Sequence, residues 1–433
     1  MSSPYKTVAL HTFGCKANFA DTSLLNSTFS QVGYNVVSFD SIADIYVINT
    51  CSVTDNANKK CRSLIRGLKR RVPNAVIGVT GCYAQLKPKE IIDIPEVNFV
   101  VGMHDKYNFI NKIDDIKDTD KFLFHSNDIQ SIEDAFLSYS LDERTRSFVK
   151  VQDGCDYSCT YCTIPKARGN SRSPKISYVI NHINSLERNN IKEIILSGIN
   201  VGDFGRSNDE SFYELLNEIN CNSNIPRIRI SSIEPNLLSD KIIDFISLNH
   251  KFMPHLHIPL QSGSDFILRK MKRKYTVKMY HDKIYEIKDR IKDCTIGVDI
   301  MTGFPGESED YFNETYELLS KLPISYLHVF PFSERENTPA YDMKDKIDLE
   351  VRYARAKILR RLSNLKFNKT QKINLNSIRP VLFEFNDDEF ISGLTDNYIR
   401  VKVPFNKKYK TNFISNVRLN DIKDGMVVGE VAK

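Results

Sequence analysis

Gly154-Cys155-Asp156-Tyr157-Ser158-Cys159-Thr160-Tyr161-Cys162 sets three thiols in a C-x3-C-x2-C pattern directly after the strand-like run 148–151. In βα folds the chemistry sits on loops at the C-terminal ends of strands, and this loop follows the first strand of a long βα rhythm. Outward from it, strand-like runs recur at 193–197, 227–231, 255–259, 295–301 and 325–329, with helical patterns such as 178–188, 277–291 and 311–319 between them. Six βα repeats over about 190 residues predict an open or partial barrel, short of the eight that close a full one.

Toward the N-terminus a shorter alternation runs from Lys6 to about Val101, with β-branched runs at 8–10, 44–48, 75–79 and 99–101. Strands separated by helix-length segments read as βαβ units with a parallel sheet. Residues 111–144 are Asp-rich and weakly periodic and read as a linker. After the basic segment 352–372, runs at 380–385, 389–394, 398–404, 413–419 and 426–431 are strand-like. Five short strands in about 55 residues suit a small OB-like β-barrel. The expected class is therefore α/β. A Rossmann-like βαβ domain spans 4–118, a partial (βα)6 barrel 141–370 and a small β-barrel 371–433.

Composition bounds the function. The chain has 433 residues, 41% hydrophobic and 26% charged, which excludes wholesale disorder. No apolar run approaches the ~18 residues of a membrane span, and no signal-peptide pattern follows Met1, so a soluble, cytoplasmic protein without a membrane partner is expected. Nine cysteines in such a chain are not a disulfide framework. The net charge of +6 is modest but clustered. Lys59, Lys60, Arg62, Arg66, Lys69, Arg70 and Arg71 form one run. Arg269, Lys270, Lys272, Arg273 and Lys274 form a second, and Arg352, Arg355, Lys357, Arg360 and Arg361 a third. Such runs are solvated helix faces or phosphate-binding patches. In the tail Tyr398, Phe405 and Tyr409 are interleaved with cations and offer candidate base-stacking surfaces.

Three thiolates without a nearby fourth Cys or His do not complete a structural zinc site, whereas soft thiolates suit iron–sulfur clusters. Three cysteines on a four-iron cluster leave one iron open to a small molecule. A zinc ribbon missing a ligand and three unrelated thiols are the competing readings. Cys15, Cys51 and Cys82 each follow an expected parallel strand, where open α/β sheets place their ligands. They read either as a convergent set or as three small buried thiols. Cys61, Cys221 and Cys294 read as core or surface residues.

The C-x3-C-x2-C loop after strand one resembles the radical SAM superfamily, whose members bind S-adenosylmethionine through the open iron. Nearly the whole chain, the Asp-rich linker being the main exception, resembles the methylthiotransferases. The motifs are 12–18, 49–54, 79–85, 151–169, 230–235, 255–264 and 298–307. Gly14-Cys15-Lys16, the segment around Cys82, Ile164-Pro165-Lys166-Ala167-Arg168-Gly169 and 327–333 look most like the branch acting on N6-threonylcarbamoyladenosine in tRNA. The tail around Gly393–Tyr398 resembles a TRAM domain, an RNA-binding barrel.

That resemblance implies two 4Fe-4S clusters. Cys155, Cys159 and Cys162 would hold the one that cleaves S-adenosylmethionine to a 5′-deoxyadenosyl radical, and Cys15, Cys51 and Cys82 an auxiliary cluster carrying the sulfur to be inserted. The product would be a methylthio group at C2 of adenine. For S-adenosylmethionine the candidates are Tyr161, Ser231, Glu234, Gly303 and Phe330. Ser231 and Glu234 lie where hydroxyl or carboxylate groups reach ribose, and the glycines of 297–307 allow close backbone approach. Arg168, Arg172 and Arg335 are the candidates for the threonylcarbamoyl carboxylate. Implied partners are a tRNA anticodon stem-loop, an external electron donor and a sulfur source. The same chemistry on isopentenyl-adenosine or on a ribosomal-protein aspartate, and a zinc/RNA-binding module without catalysis, are the alternatives.

Overall fold

The runs of Val and Ile that punctuate the chain become the inner strands of parallel sheets, buried on both faces as such sheets require. The computed structural model describes residues 7–51, 55–116, 120–124, 129–131, 138–139, 145–387 and 389–432. The chain divides into two units. The first is Met1–Asp142, Phe148–Tyr157 and Cys162–Pro174, and the second is Glu143–Ser147, Ser158–Tyr161 and Lys175–Lys433.

In the first unit six parallel strands lie in the order Asn35–Val37, Thr7–Thr12, Ile45–Thr50, Val76–Gly81, Phe99–Val101 and Phe122–Phe124. Every residue of Ile45–Thr50 and Val76–Gly81 is buried. Apolar side chains form a core on each face, one around Tyr46, Ile48, Ile65 and Ile77, the other around Val8, Phe29, Val47 and Phe99. Two strands correct the sequence reading. Asn35–Val37 is only three residues long, and Phe122–Phe124 falls inside the stretch read as linker. Its Phe-Leu-Phe pairs with Phe99–Val101, and the charged residues around it masked the signal.

The second unit carries Glu193–Ser197 and Arg227–Ile230, paired in parallel, and His255–His257, Thr295–Thr302 and Tyr326–Pro331, also parallel. Single bridges at Ile228–Phe252 and Ser232–His257 join the two sets. Helices Ile176–Arg188, Phe212–Asn222, Asp240–Leu248, Val277–Arg290 and Glu309–Lys321 connect the strands, each burying one apolar stripe. Helix Leu349–Asn374 then leads into a closed five-stranded barrel. Strands Ile378–Asn386, Phe390–Thr395, Arg400–Pro404, Met426–Val431 and Ile414–Lys423 follow one another around it.

The loop Thr395–Tyr398 of that barrel is docked on the starts of the parallel strands. Arg227 donates to the carbonyls of Leu394 at 3.1 Å and Thr395 at 2.9 Å, and Arg229 to that of Asp396 at 3.0 Å. Thr295 donates to the Asn397 carbonyl at 2.7 Å, and the Tyr398 ring stacks 4.2 Å from His255. Tyr398 is thus an internal contact and not a base platform. Phe405 and Tyr409 likewise pack against the barrel core, which corrects their reading as stacking surfaces.

Glu193 sits fully buried between Arg227 at 2.7 Å and Arg229 at 3.1 Å, with Arg146 at 3.8 Å. Burial alone would raise its carboxyl, but Arg229 and Arg227 outweigh it and hold the group at about 2. A depressed carboxyl contributes stability above its unfolded value, near 4.5, that is lost as pH falls toward about 2. Glu193→Gln is expected to cost about 3 kcal/mol at neutral pH and to flatten the acid limb of the stability curve. Urea unfolding of wild type and variant between neutral pH and pH 3 checks this. Parallel curves would remove Glu193 from the acid response.

Candidate cluster and cofactor sites

Cys15, Cys51 and Cys82 follow the C-terminal ends of Thr7–Thr12, Ile45–Thr50 and Val76–Gly81, three neighbouring strands of the first unit. Cys51 and Cys82 are buried and Cys15 is exposed. The local backbone explains the convergence. Gly14 has φ +110°, and a Cβ there would lie 2.6 Å from Cys51 Cβ. Gly81 has φ +96°, and a Cβ there would lie 2.4 Å from the Thr50 carbonyl oxygen. Only glycine fits either place. Asn18 ties the turn down by donating to the carbonyls of Phe13 at 2.8 Å and Thr50 at 3.0 Å. Burial pushes the Cys82 thiol up and so does neighbouring Cys15, while the Arg168 guanidinium, which donates a hydrogen bond to Cys82, and Lys106 pull it down.

Behind these thiols lies a buried charge network that the sequence reading missed. Arg168 is fully buried and donates to Asp153 at 2.8 Å, to Asp21 at 3.1 Å and to Asn18. Lys106 reaches Asp21 at 2.9 Å, Lys150 reaches Asp153 at 3.0 Å as well as Asp21, and Arg172 reaches Asp153 at 3.4 Å. Burial would raise the Asp21 carboxyl, but Lys106, Lys150 and Arg168 outweigh it and hold it well below the usual carboxylate range. Arg168 and Arg172, the expected partners of a substrate carboxylate, both belong to this network. Both guanidiniums are already committed to Asp153, and stripping a partner from a buried ion is costly.

Cys155 and Cys162 belong to the first unit and Cys159 to the second. Gly154, at φ +70°, precedes Cys155, and a Cβ there would lie 1.8 Å from the Asn170 carbonyl oxygen. The Tyr157 N–H donates to Cys155 Sγ at 3.4 Å.

In the second unit Cys159 is buried against Arg273, whose Nη1 donates to its sulfur at 3.2 Å and lies 3.4 Å from the Tyr161 hydroxyl. Arg273 is also ion-paired with Glu234. The sequence placed Arg273 in a basic surface run. Its neighbours Lys272 and Lys274 are exposed, and nothing but an apolar Met271 and Tyr275 beside it hinted at burial. Arg352 and Arg355 of the third run are also internal, paired with Glu334 and Glu307. Those runs are therefore less available to phosphate than the sequence implied.

Tyr161 meets the buried Phe304 edge-on, with ring centres 6.3 Å apart. Ser231 is buried, and its hydroxyl has no hydrogen-bond partner among the described residues. Phe330 is 41% exposed. Gly303 needs its missing Cβ because Arg352 packs on it, with Cγ 2.2 Å from the position a Cβ would take. Its N–H already donates to Glu307 at 2.6 Å. Arg335 lies partly buried in the loop after Tyr326–Pro331. Burial pushes the Cys61 and Cys294 thiols up to about 12, as expected of inert core residues.

The donor set fits the groups the resemblance implied. Three thiols meet in a glycine-built crevice beside fixed cations, which suits an anionic iron–sulfur cluster. An orphaned buried hydroxyl, a carboxylate and an aromatic pair suit an adenosyl ligand.

Residues 7–102 match the Uncharacterized protein family UPF0004, and residues 149–319 match the Radical SAM superfamily. The threonylcarbamoyladenosine tRNA methylthiotransferase MtaB of Bacillus subtilis (strain 168) is 38% identical, with 91% of this chain and 90% of that protein covered. The protein of the same name from Aquifex aeolicus (strain VF5) is 36% identical over 91% of this chain and 96% of its own length. The tRNA-2-methylthio-N(6)-dimethylallyladenosine synthase of Clostridium tetani (strain Massachusetts / E88) is 34% identical, covering 90% of this chain and 88% of its own. Among solved structures the radical S-adenosylmethionine methyltransferase TsrM from Kitasatospora setae superposes with a TM-score of 0.60 at 12% identity, covering 78% of this chain and 75% of that one. That likeness concerns the fold.

Proposed function

Because the chain belongs to the radical SAM methylthiotransferase family, we propose that it inserts a methylthio group at C2 of N6-threonylcarbamoyladenosine, beside the anticodon of tRNA. The observation that carries the reading is the meeting of Cys15, Cys51 and Cys82 at the ends of three neighbouring strands, in a chain that also has the C-x3-C-x2-C loop.

Cys155, Cys159 and Cys162 would hold one 4Fe-4S cluster, and Cys15, Cys51 and Cys82 a second. When bound, these clusters and S-adenosylmethionine supply the one-electron and sulfur chemistry that an unactivated C–H bond demands. The chain's own side chains position and shield. Arg273 donates to the Cys159 sulfur and keeps Tyr161 and Glu234 in place around it. Ser231 and Glu234 offer a hydroxyl and a carboxylate to ribose hydroxyls, and Tyr161 and Phe330 flank the adenine. Gly303 shapes its loop. Burial pushes the Cys82 thiol up, and the positive field of Arg168 and Lys106 offsets part of that rise. Arg335 is the remaining arginine candidate for the threonylcarbamoyl carboxylate. An external electron donor and a sulfur source complete the cycle, in the cytoplasm with the tRNA. No helix among the described residues is long and apolar enough to cross a membrane.

The expected result is that tRNA from a strain deleted for this activity regains the methylthio mark on threonylcarbamoyladenosine when this chain is expressed. Mass spectrometry of tRNA nucleosides reads it. Return of the mark on isopentenyl-adenosine alone would assign the substrate named for the Clostridium tetani relative.

A further inference from the structure

Residues paired in a parallel register share a face of the sheet. In the second unit that register sets Asp299 beside His328, Met301 beside Phe330 and His257 beside Gly297. The opposite face carries Val298, Ile300, Leu327 and Val329, all buried. The face of His257, Asp299 and His328 is the open one: His328 is exposed and the other two are half-buried.

The three side chains form one polar cluster. His257 Nε2 lies 2.9 Å from Asp299 Oδ1, and its Nδ1 lies 2.5 Å from Ser232 Oγ. The His328 ring centre is 5.3 Å from that of His257, with the planes at 76°. One polar atom from each of the three lies within 4.8 Å of the others. Toward the strand starts the cluster has a floor, where Tyr326 meets His255 at 2.7 Å and Tyr398 stacks on His255. In the other direction Met301, two residues or about 6.6 Å along the strand, packs against the apolar cluster around Phe304, on which Tyr161 also packs. The polar ledge therefore lies one layer beneath the residues that adjoin Cys159.

Ser232 and Asp299 hold both nitrogens of His257, which fixes the ring and leaves an imidazole and a carboxylate at an open face. We propose that this ledge is the subsite for the N6 threonylcarbamoyl group. Asp299 accepts from its N–H or hydroxyl, and His328 donates to its oxygens. The inference rests on the substrate reading above and adds the residues that read the substituent. An isopentenyl group offers none of these hydrogen bonds, and sites built for hydrogen bonding reject such analogues strongly. Ribose hydroxyls of S-adenosylmethionine share the same bonding chemistry, so the experiment measures both ligands.

The reconstituted full chain is titrated with anticodon stem-loop RNA carrying either adenosine or threonylcarbamoyladenosine, by fluorescence anisotropy, and with S-adenosylmethionine by equilibrium dialysis. Wild type is expected to prefer the threonylcarbamoyl RNA by about tenfold or more. His328→Leu should erase that preference while binding of adenosine RNA and of S-adenosylmethionine stays within about twofold. His328→Asn, which keeps an N–H donor, should retain most of it. Equal weakening of both RNAs, an unchanged preference, or weakened S-adenosylmethionine binding with the preference intact would each overturn the ledge. A wild type with no preference would overturn the substrate reading and the ledge with it.

Discussion

Replacing Cys159 with Ala is expected to abolish formation of 5′-deoxyadenosine from S-adenosylmethionine while leaving the fold in place. Three thiolates hold three irons of a four-iron cluster, and two do not hold the cube reliably. The side chain is small, and Arg273 beside it keeps Glu234 and Tyr161 as partners when the sulfur is removed. The loss should therefore fall on the cluster and not on the second unit's packing. Iron analysis, the visible absorbance of the reconstituted protein and chromatography of 5′-deoxyadenosine read the effect. Cys221→Ala is the control, since Cys221 is exposed on the helix Phe212–Asn222. Wild-type levels of 5′-deoxyadenosine from Cys159→Ala protein would remove that cysteine from the site.

Replacing Cys15, Cys51 and Cys82 together is expected to give the opposite separation. Iron content should fall by about half if each triad holds one equal cluster. Reductive cleavage should continue, and methylthiolation should stop. The substitution removes only small side chains from the crevice. Asp21, Asp153, Lys106, Lys150 and Arg168 still pair with one another, so the first unit should keep its core. Unchanged iron with unchanged product would mean that the three are buried thiols after all. Loss of 5′-deoxyadenosine as well would mean that the two cysteine sets do not act separately.

What sequence reasoning reached and missed follows from the physics of each signal. Long β-branched runs bounded by turns located the strands Glu193–Ser197, Phe99–Val101 and Met426–Val431 to the residue. Strands of three residues amid charges, such as Phe122–Phe124, carry too little pattern to be seen. The placement of Cys15, Cys51 and Cys82 just past strand ends was readable because the strands before them were. The arginines were not. Arg168, Arg273 and Arg352 sit in cation-rich sequence that reads as surface, yet each is buried against a carboxylate that is distant in the chain. A charge's partner is a tertiary fact, and one sequence without its fold does not contain it. The same holds for His257, Asp299 and His328, which lie on three different strands and meet only through register.

The docking of the loop Thr395–Tyr398 bears on how such a chain could have been assembled and how it can be cut. A small closed barrel with its own core invites treatment as a detachable cassette, free to be trimmed or exchanged between enzymes. Here removal would strip carbonyl partners from Arg227 and Arg229 and uncover the His255 ring. The tail is thus part of the floor of the neighbouring fold as well as a domain with its own core. Inheritance of one without the other would require the arginines and the loop to change together, which favours descent as a single block. Chimeras that join a foreign barrel at the helix Leu349–Asn374 would have to carry a matching Thr395–Tyr398 loop to remain closed.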